Sequence, residues 1–325
     1  MAHAASAGKW DAGRGRKARS PSEVPRAGWR DILLRVKQRI SHDRLSIVAA
    51  GVAFYALMAV FPALVALVAL YGLAFDPQQV SDQMAALGGM LPRQAADILL
   101  GQLHDLVRTD SAALGVGAIV GALVALWSAS AGVRTAMQAL NVAYNEEEKR
   151  GFIRFYATAL LLTIVALIGV ALVIALIVAL PIVLKFLGFG TLGENLVLLA
   201  RWPIVALAVL LGLAILYRYG PSREAPRWEW VSHGALLATV LWLIGSILFS
   251  LYVSHFGSYN KTYGSAGAVV ILLTWFLLSA YVVLIGAEIN AESERQTRKD
   301  TTTGPEQPLG KRKAYAADTV GRTPP

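Results

Sequence analysis

The sequence predicts an all-α fold: a polytopic membrane helix bundle of six transmembrane helices with both termini cytoplasmic. Three observations predict it. Apolar residues make up 56% of the 325 residues, and mean hydropathy is +0.53. Six long apolar stretches occupy 45–75, 111–130, 152–186, 195–217, 231–255 and 265–289. Each reaches the ~20 residues an α-helix needs to cross hydrocarbon, and none alternates apolar and polar residues as a barrel strand would. Finally, 25 of the 30 Lys and Arg residues lie in the two tails and the 131–154 and 218–230 segments, against five in the segments between. The positive-inside rule then puts both tails in the cytoplasm.

The composition bounds the function. A net charge of +9 sits mostly in the tails, where it suits anionic lipid head groups of the cytoplasmic face. Membrane lipids are therefore the expected partners, and no nucleic acid is expected. The chain has no Cys, so disulfides, thiolate catalysis and Cys-based metal sites are excluded. The five His have no ligand-type spacing, and there is no Walker loop, dinucleotide fingerprint or Gly-x-Ser-x-Gly elbow. No cofactor, metal or catalytic residue is expected, and no extramembrane piece is long enough for a soluble catalytic domain.

Along the chain, residues 1–27 are rich in Ala, Gly, Ser, Pro and Arg and read as a disordered basic tail. In 28–44, Trp29, Ile32, Leu33, Val36 and Ile40 recur at helical spacing among basic residues. That pattern predicts a juxtamembrane amphipathic helix lying in the interface. The membrane domain fills 45–292. Pro62 is expected to kink the first span. The 76–110 segment carries five Asp and two basic residues and is expected to form short helices capping the non-cytoplasmic face. The second span runs on into a polar stripe, so a continuous helix over 112–145 is expected to end in a solvated Glu146–Glu148 turn. The third span is Ile/Leu/Val-rich over 164–180 and is expected to face lipid. The fourth opens at Arg201-Trp202-Pro203, and it closes on the aromatic and basic Tyr217-Arg218-Tyr219 anchor. Trp228 and Trp230 anchor the fifth. Small residues at 265–268 open the sixth, which invites close helix packing. Residues 293–325 are polar with Pro and Gly and read as a second disordered tail.

Ionisable residues are nearly absent from the spans, and such a group inside a membrane is a functional candidate. Glu288, near one end of the sixth span, and Arg134, near the same end of the second, are expected to pair. The candidate cavity residues are Tyr55 and Pro62 on the first span; Ser128, Ser130, Arg134 and Asn141 on the second; and Tyr263, Gly264, Gly267 and Glu288 at the sixth. The expected site lies between those three spans, with the third lining none of it.

Several stretches occur in an order that resembles the YihY/BrkB family of bacterial inner-membrane proteins. They are Gly51-Val52-Ala53-Phe54-Tyr55 with Phe61-Pro62, Leu126-Trp127-Ser128-Ala129-Ser130, and Ala139-Leu140-Asn141-Val142-Ala143-Tyr144. Tyr263-Gly264-Ser265-Ala266-Gly267-Ala268-Val269 and Gly286-Ala287-Glu288-Ile289-Asn290 complete the set. The resemblance covers roughly 30–295. It implies an inner-membrane protein of a family in which some members carry a ribonuclease BN label and others are associated with serum resistance or lipid transport. It supplies no catalytic residue set. Transport or lipid handling, of an unspecified lipid or amphiphile, is the leading expectation; the alternatives are an assembly protein without substrate and a membrane-bound ribonuclease.

Overall fold

The computed structural model describes residues 13–74, 114–186, 190–255 and 259–323. These form eight α-helices: α1 (Arg26–His42), α2 (Leu45–Ala74), α3 (Leu114–Tyr144), α4 (Phe152–Phe186), α5 (Gly190–Tyr219), α6 (Trp228–His255), α7 (Tyr259–Glu294) and the short α8 (Tyr315–Asp318). No strand occurs among the described residues. Six of the helices, α2 to α7, are long and apolar enough to cross a membrane. At most 22% of each apolar window is buried inside the protein, so the remainder needs lipid to cover it.

Chain neighbours pack side by side. α2 lies on α3, α3 on α4, α4 on α5, α5 on α6 and α6 on α7, and α7 returns to α2 to close the ring. Small residues set the closest approaches. A methyl group added at Gly132 of α3 would lie 3.3 Å from the Ala59 Cβ of α2. At the α6–α7 crossing, a methyl on Gly234 or Gly286 would collide with the opposing helix, the latter coming within 2.8 Å of Ala238 Cβ. The main core, including Leu45, Ala49, Ala139, Leu140, Ala143, Leu213, Ala214, Val231, Ala235, Ala238, Ala287 and Ala291, is dominated by alanine for the same reason. It sits at one end of the bundle, where α3, α5 and α7 finish and α2 and α6 begin. Pro62 lies within α2, and the helix is continuous through it. Pro203 is likewise interior to α5, because that helix starts at Gly190, well before the expected first turn. The caps expected in 76–110 lie outside the described residues.

Both tails gather at that same end, and here the structure differs from what composition predicts. Composition predicts disorder over 1–27 and 293–325. The described part of these tails, 13–27 and 293–323, is instead packed into a cap. Arg16 donates to the carbonyls of Gln296 and Gly321. Arg35 of α1 meets Glu292, the Glu292 carbonyl and the Gln296 side chain. The C-terminal tail pairs with the α5–α6 loop through Arg227 N–H to Thr301 O and Thr303 N–H to Ala225 O. Arg312 is buried and donates to the carbonyls of Arg298, Lys299, Gln307 and Ala317. The tails lack the apolar content that signals folding, so composition reads them as disordered. Their order rests on arginines satisfying backbone carbonyls, each a charge-assisted bond stronger than a neutral one. In the 146–148 turn, expected to be solvated, Glu147 and Glu148 are exposed, while Glu146 is buried and accepts the Tyr315 N–H.

Candidate functional site

The structure distributes the candidate residues over three places. The first is the contact between α3 and α4. Arg134 lies ten residues before the end of α3, a rise of about 15 Å. Its guanidinium nonetheless sits over the rings of Trp127 and Tyr156, at 5.3 and 5.0 Å. Tyr156 is only four residues into α4, about 6 Å of rise. The offset arises because the last turns of α3 continue into the cap, where Tyr144 is buried beneath the Arg223 guanidinium at 5.0 Å. Arg134 therefore lies level with the first turn of α4. The Trp127 and Tyr156 rings stack at 5.1 Å with an 11° interplanar angle. Arg134 Nη1 donates to Ser130 Oγ and, at 3.4 Å, to the Trp127 carbonyl; Ser130 Oγ donates to that same carbonyl at 2.6 Å. Nε and Nη2 have no hydrogen-bond partner, and no carboxylate lies within 4 Å, among the described residues. Trp127 is exposed on the outer surface. The arrangement is an aromatic-backed cation with free donors beside the exposed Trp127.

The second place is the junction of α1 and α7. Glu288 is fully enclosed, and among the described residues neither carboxylate oxygen has a hydrogen-bond partner. Its nearest cation is Arg39 of α1, 3.9 Å away, and Arg39 is itself 3.1 Å from Asp43 at the end of α1. The expected Arg134–Glu288 pair is not formed. The two helices carry the charges to different partners, because Glu288 faces α1 and Arg134 faces α4.

The third place is the α3–α4 loop. Asn141 Nδ2 donates to Glu148, and its Oδ1 accepts the Ser222 N–H at 2.7 Å. Arg150 Nε and Nη2 also bind Glu148, each at 2.7 Å. Burial works against the Glu148 charge, but these bonds outweigh it and draw its pKa down to about 2. Asn141 is a tie between two loops rather than part of a cavity. Burial lowers the pKa of Arg35 despite its pairing with Glu292, while the buried Arg223 is raised, burial being outweighed by Glu294.

The remaining candidates do not converge. Tyr55 is 48% exposed, Ser128 is half-buried and Gly267 is buried. Tyr263 and Gly264 fall in the first turns of α7, and the Tyr263 side chain lies outside the described residues. Among the described residues these positions do not gather into the single cavity expected between α2, α3 and α7, and α4, expected to line nothing, supplies Tyr156 to the Arg134 contact.

The segments that carry these features are also those that relate the chain to known proteins. A family model described as Virulence factor BrkB matches residues 36–310. The chain belongs to the BrkB family. Among its relatives, the putative ribonuclease-like protein YfkH of Bacillus subtilis (strain 168) is 32% identical over 253 residues, covering 75% of this chain and 88% of YfkH. A UPF0761 membrane protein of Aliivibrio fischeri (strain ATCC 700601 / ES114) is 29% identical over 277 residues, covering 82% and 84%. Another UPF0761 membrane protein, from Photobacterium profundum, is 27% identical over 284 residues, covering 84% and 83%. No solved structure matches the chain. With its six apolar helices, this BrkB-family chain is a multi-pass bacterial membrane protein.

Several residues important to this architecture carry no sequence signal of their role. Asn290 accepts the Gly234 N–H at 2.8 Å and donates to the Val231 carbonyl at 3.2 Å, which ties the start of α6 to the end of α7. The 286–290 stretch thus reads as one device: Gly286 admits α6, Ala287 and Ile289 pack, Glu288 faces α1 and Asn290 bonds α6. Tyr156 is equally silent, since one aromatic near a helix start is common at membrane boundaries. Arg223 and Glu294, a fully buried bidentate pair at 2.6 and 3.0 Å, are 71 residues apart, and only the fold brings them together.

Proposed function

We propose that this BrkB-family protein handles an anionic amphiphile in the membrane, with Arg134 as the head-group contact. The observation that carries the reading is the Arg134 guanidinium seated over Trp127 and Tyr156. Near the boundary end of its span, this arginine keeps Nε and Nη2 free beside two stacked rings. The planar guanidinium fits a phosphate or carboxylate through two parallel donors, and Trp127 and Tyr156 offer apolar surface to the adjoining chain. The bland outer face of α4, with Leu161, Val165, Ile168 and Leu172 exposed, supplies a lipid-facing wall beside it. The same reading places the tails in the cytoplasm, on the distribution of 25 of 30 basic residues. An alkaline-phosphatase fusion at Gly304 should then be inactive, and an active fusion overturns the orientation.

Reconstituted proteoliposomes carrying a fluorescent phosphatidylglycerol test the function. Lipid redistribution should be faster than in protein-free vesicles. Arg134→Ala should slow it by about tenfold, the equivalent of one lost charge-assisted contact. Arg134→Lys should recover part of the rate, because a point charge remains but the planar fork is lost. Equal rates with and without protein, or an unchanged Arg134→Ala rate, refute the reading.

A further inference from the structure

We infer that the outward face of α1 is a docking site for anionic phospholipid in the leaflet next to the tails. The inference stands on a different site from Arg134 and requires only that the protein be in a membrane.

α1 divides its residues cleanly around the wheel. Gly28, Asp31, Ile32, Arg35 and Val36 face inward and are buried. Ile32 and Val36 pack with Ala18, Val24 and Ile289. On the opposite side, Arg26, Arg30 and Lys37 fall within about 40° of one another at 100° per residue, along roughly 16 Å of helix. Leu33 lies among them and is 54% exposed, flanked by Trp29 and Leu34. Together these six side chains line a shallow concavity of about 670 Å³.

The helix also divides its charges. The inner and lateral groups are paired: Asp31 with Arg14, Arg35 with Glu292, Arg39 with Asp43. Arg26, Arg30 and Lys37 make no ion pair or side-chain hydrogen bond with any described residue. Unpaired cations along one line, interleaved with an exposed leucine and a tryptophan, match the chemistry of a phospholipid surface. Phosphates meet the cations while Leu33 and Trp29 reach the acyl boundary. A nucleic acid would satisfy the cations and leave Leu33 in water.

The level of the helix agrees. The Trp29 ring lies 6.3 Å from that of His233, in the second turn of α6. Exposed Trp228 begins that helix, and exposed Phe152 and Ile153 begin α4. These side chains mark the membrane boundary at the tail end of the bundle, and α1 lies along it.

The absence of native cysteine allows a clean test. The full chain carrying Leu33→Cys is labelled with an environment-sensitive fluorophore and reconstituted into vesicles containing brominated phosphatidylglycerol or brominated phosphatidylcholine. Quenching by the phosphatidylglycerol should exceed that by the phosphatidylcholine by at least about twofold. The preference should disappear when Arg26→Gln, Arg30→Gln and Lys37→Gln are combined, changes that leave the buried face of α1 intact. It should persist in Arg134→Ala, which separates this site from the α3–α4 contact. Quenching by neither lipid, or equally by both in the unsubstituted helix, overturns the inference. So does a probe response to a short single-stranded RNA that exceeds the response to the anionic vesicle.

Discussion

Arg39 holds a position out of proportion to its place on a short interfacial helix. One guanidinium stands between two carboxylates, Asp43 at 3.1 Å and Glu288 at 3.9 Å, and Glu288 is wholly enclosed. Removing one member of a buried ion pair costs more than the pair contributes, because the other charge is stranded without water. Arg39→Met should therefore destabilise the protein by about 3 kcal/mol. Glu288→Gln alone should cost much less, since it removes a charge from an enclosed place while keeping the side-chain shape. The double variant should lie close to Glu288→Gln, giving a coupling of about 3 kcal/mol in a double-mutant cycle. Thermal or denaturant unfolding of the four proteins in one detergent measures it. Additive effects would mean that Arg39 acts on Asp43 alone. Glu288 itself is legible in the sequence as an ionisable residue in an apolar helix. Its partner is not, because the choice between Arg39 and Arg134 depends on which neighbour α7 turns the residue toward.

At the scale of elements, most of the bundle can be read directly. The third apolar stretch, 152–186, matches α4 in both bounds, and the expected run of the second span into a polar stripe is realised by α3, which continues to Tyr144. Hydrophobic length decides such elements, and length is written in the sequence. The crossings between them are less legible, because a glycine in a span marks a close approach only when its partner is known. Gly234 and Gly286 are partners, 52 residues apart, and each leaves no room for a methyl group on the other helix. Gly286→Val should push α7 off α6 and strain the Asn290 bonds to Gly234 and Val231. A loss of roughly 2–3 kcal/mol is expected from overpacking and broken hydrogen bonds. Gly51→Ala serves as the comparison, since a Cβ there meets nothing within 4 Å, and it should be neutral or slightly stabilising. Melting in detergent distinguishes them; equal melting temperatures would show that the α6–α7 crossing tolerates separation.

For the whole molecule, the cap changes what the chain is. By composition it is a membrane domain with two loose ends. In the structure the two ends are joined to each other and to the bundle: Arg16 to Gly321, Arg35 to Gln296, and Arg223 to Glu294, itself bonded by Thr301. These links span up to 305 residues in sequence, and no local pattern encodes them. The groups are also mutually dependent. Truncation after residue 297 would remove the carbonyl of Gly321 from Arg16, the carbonyl of Arg322 from Arg35 and the hydroxyl of Thr301 from Glu294. Each buried or part-buried charge so deprived loses a bond of about 1.5–3 kcal/mol, offset where water can enter the opened cap. The truncated protein should keep its six spans, since their apolar length is untouched, and so retain its far-UV helical signal in detergent. Its melting temperature should fall by several degrees, and α1, tied to the bundle through Arg35 and Glu292, should become more accessible to protease around Arg30. A truncated chain that melts with the full one and resists cleavage at α1 would show that the tail rests on the cap without holding it. In that case the buried arginines of α1 and the N-terminal segment suffice alone, and the cohesion of this end of the molecule lies between α1 and α7.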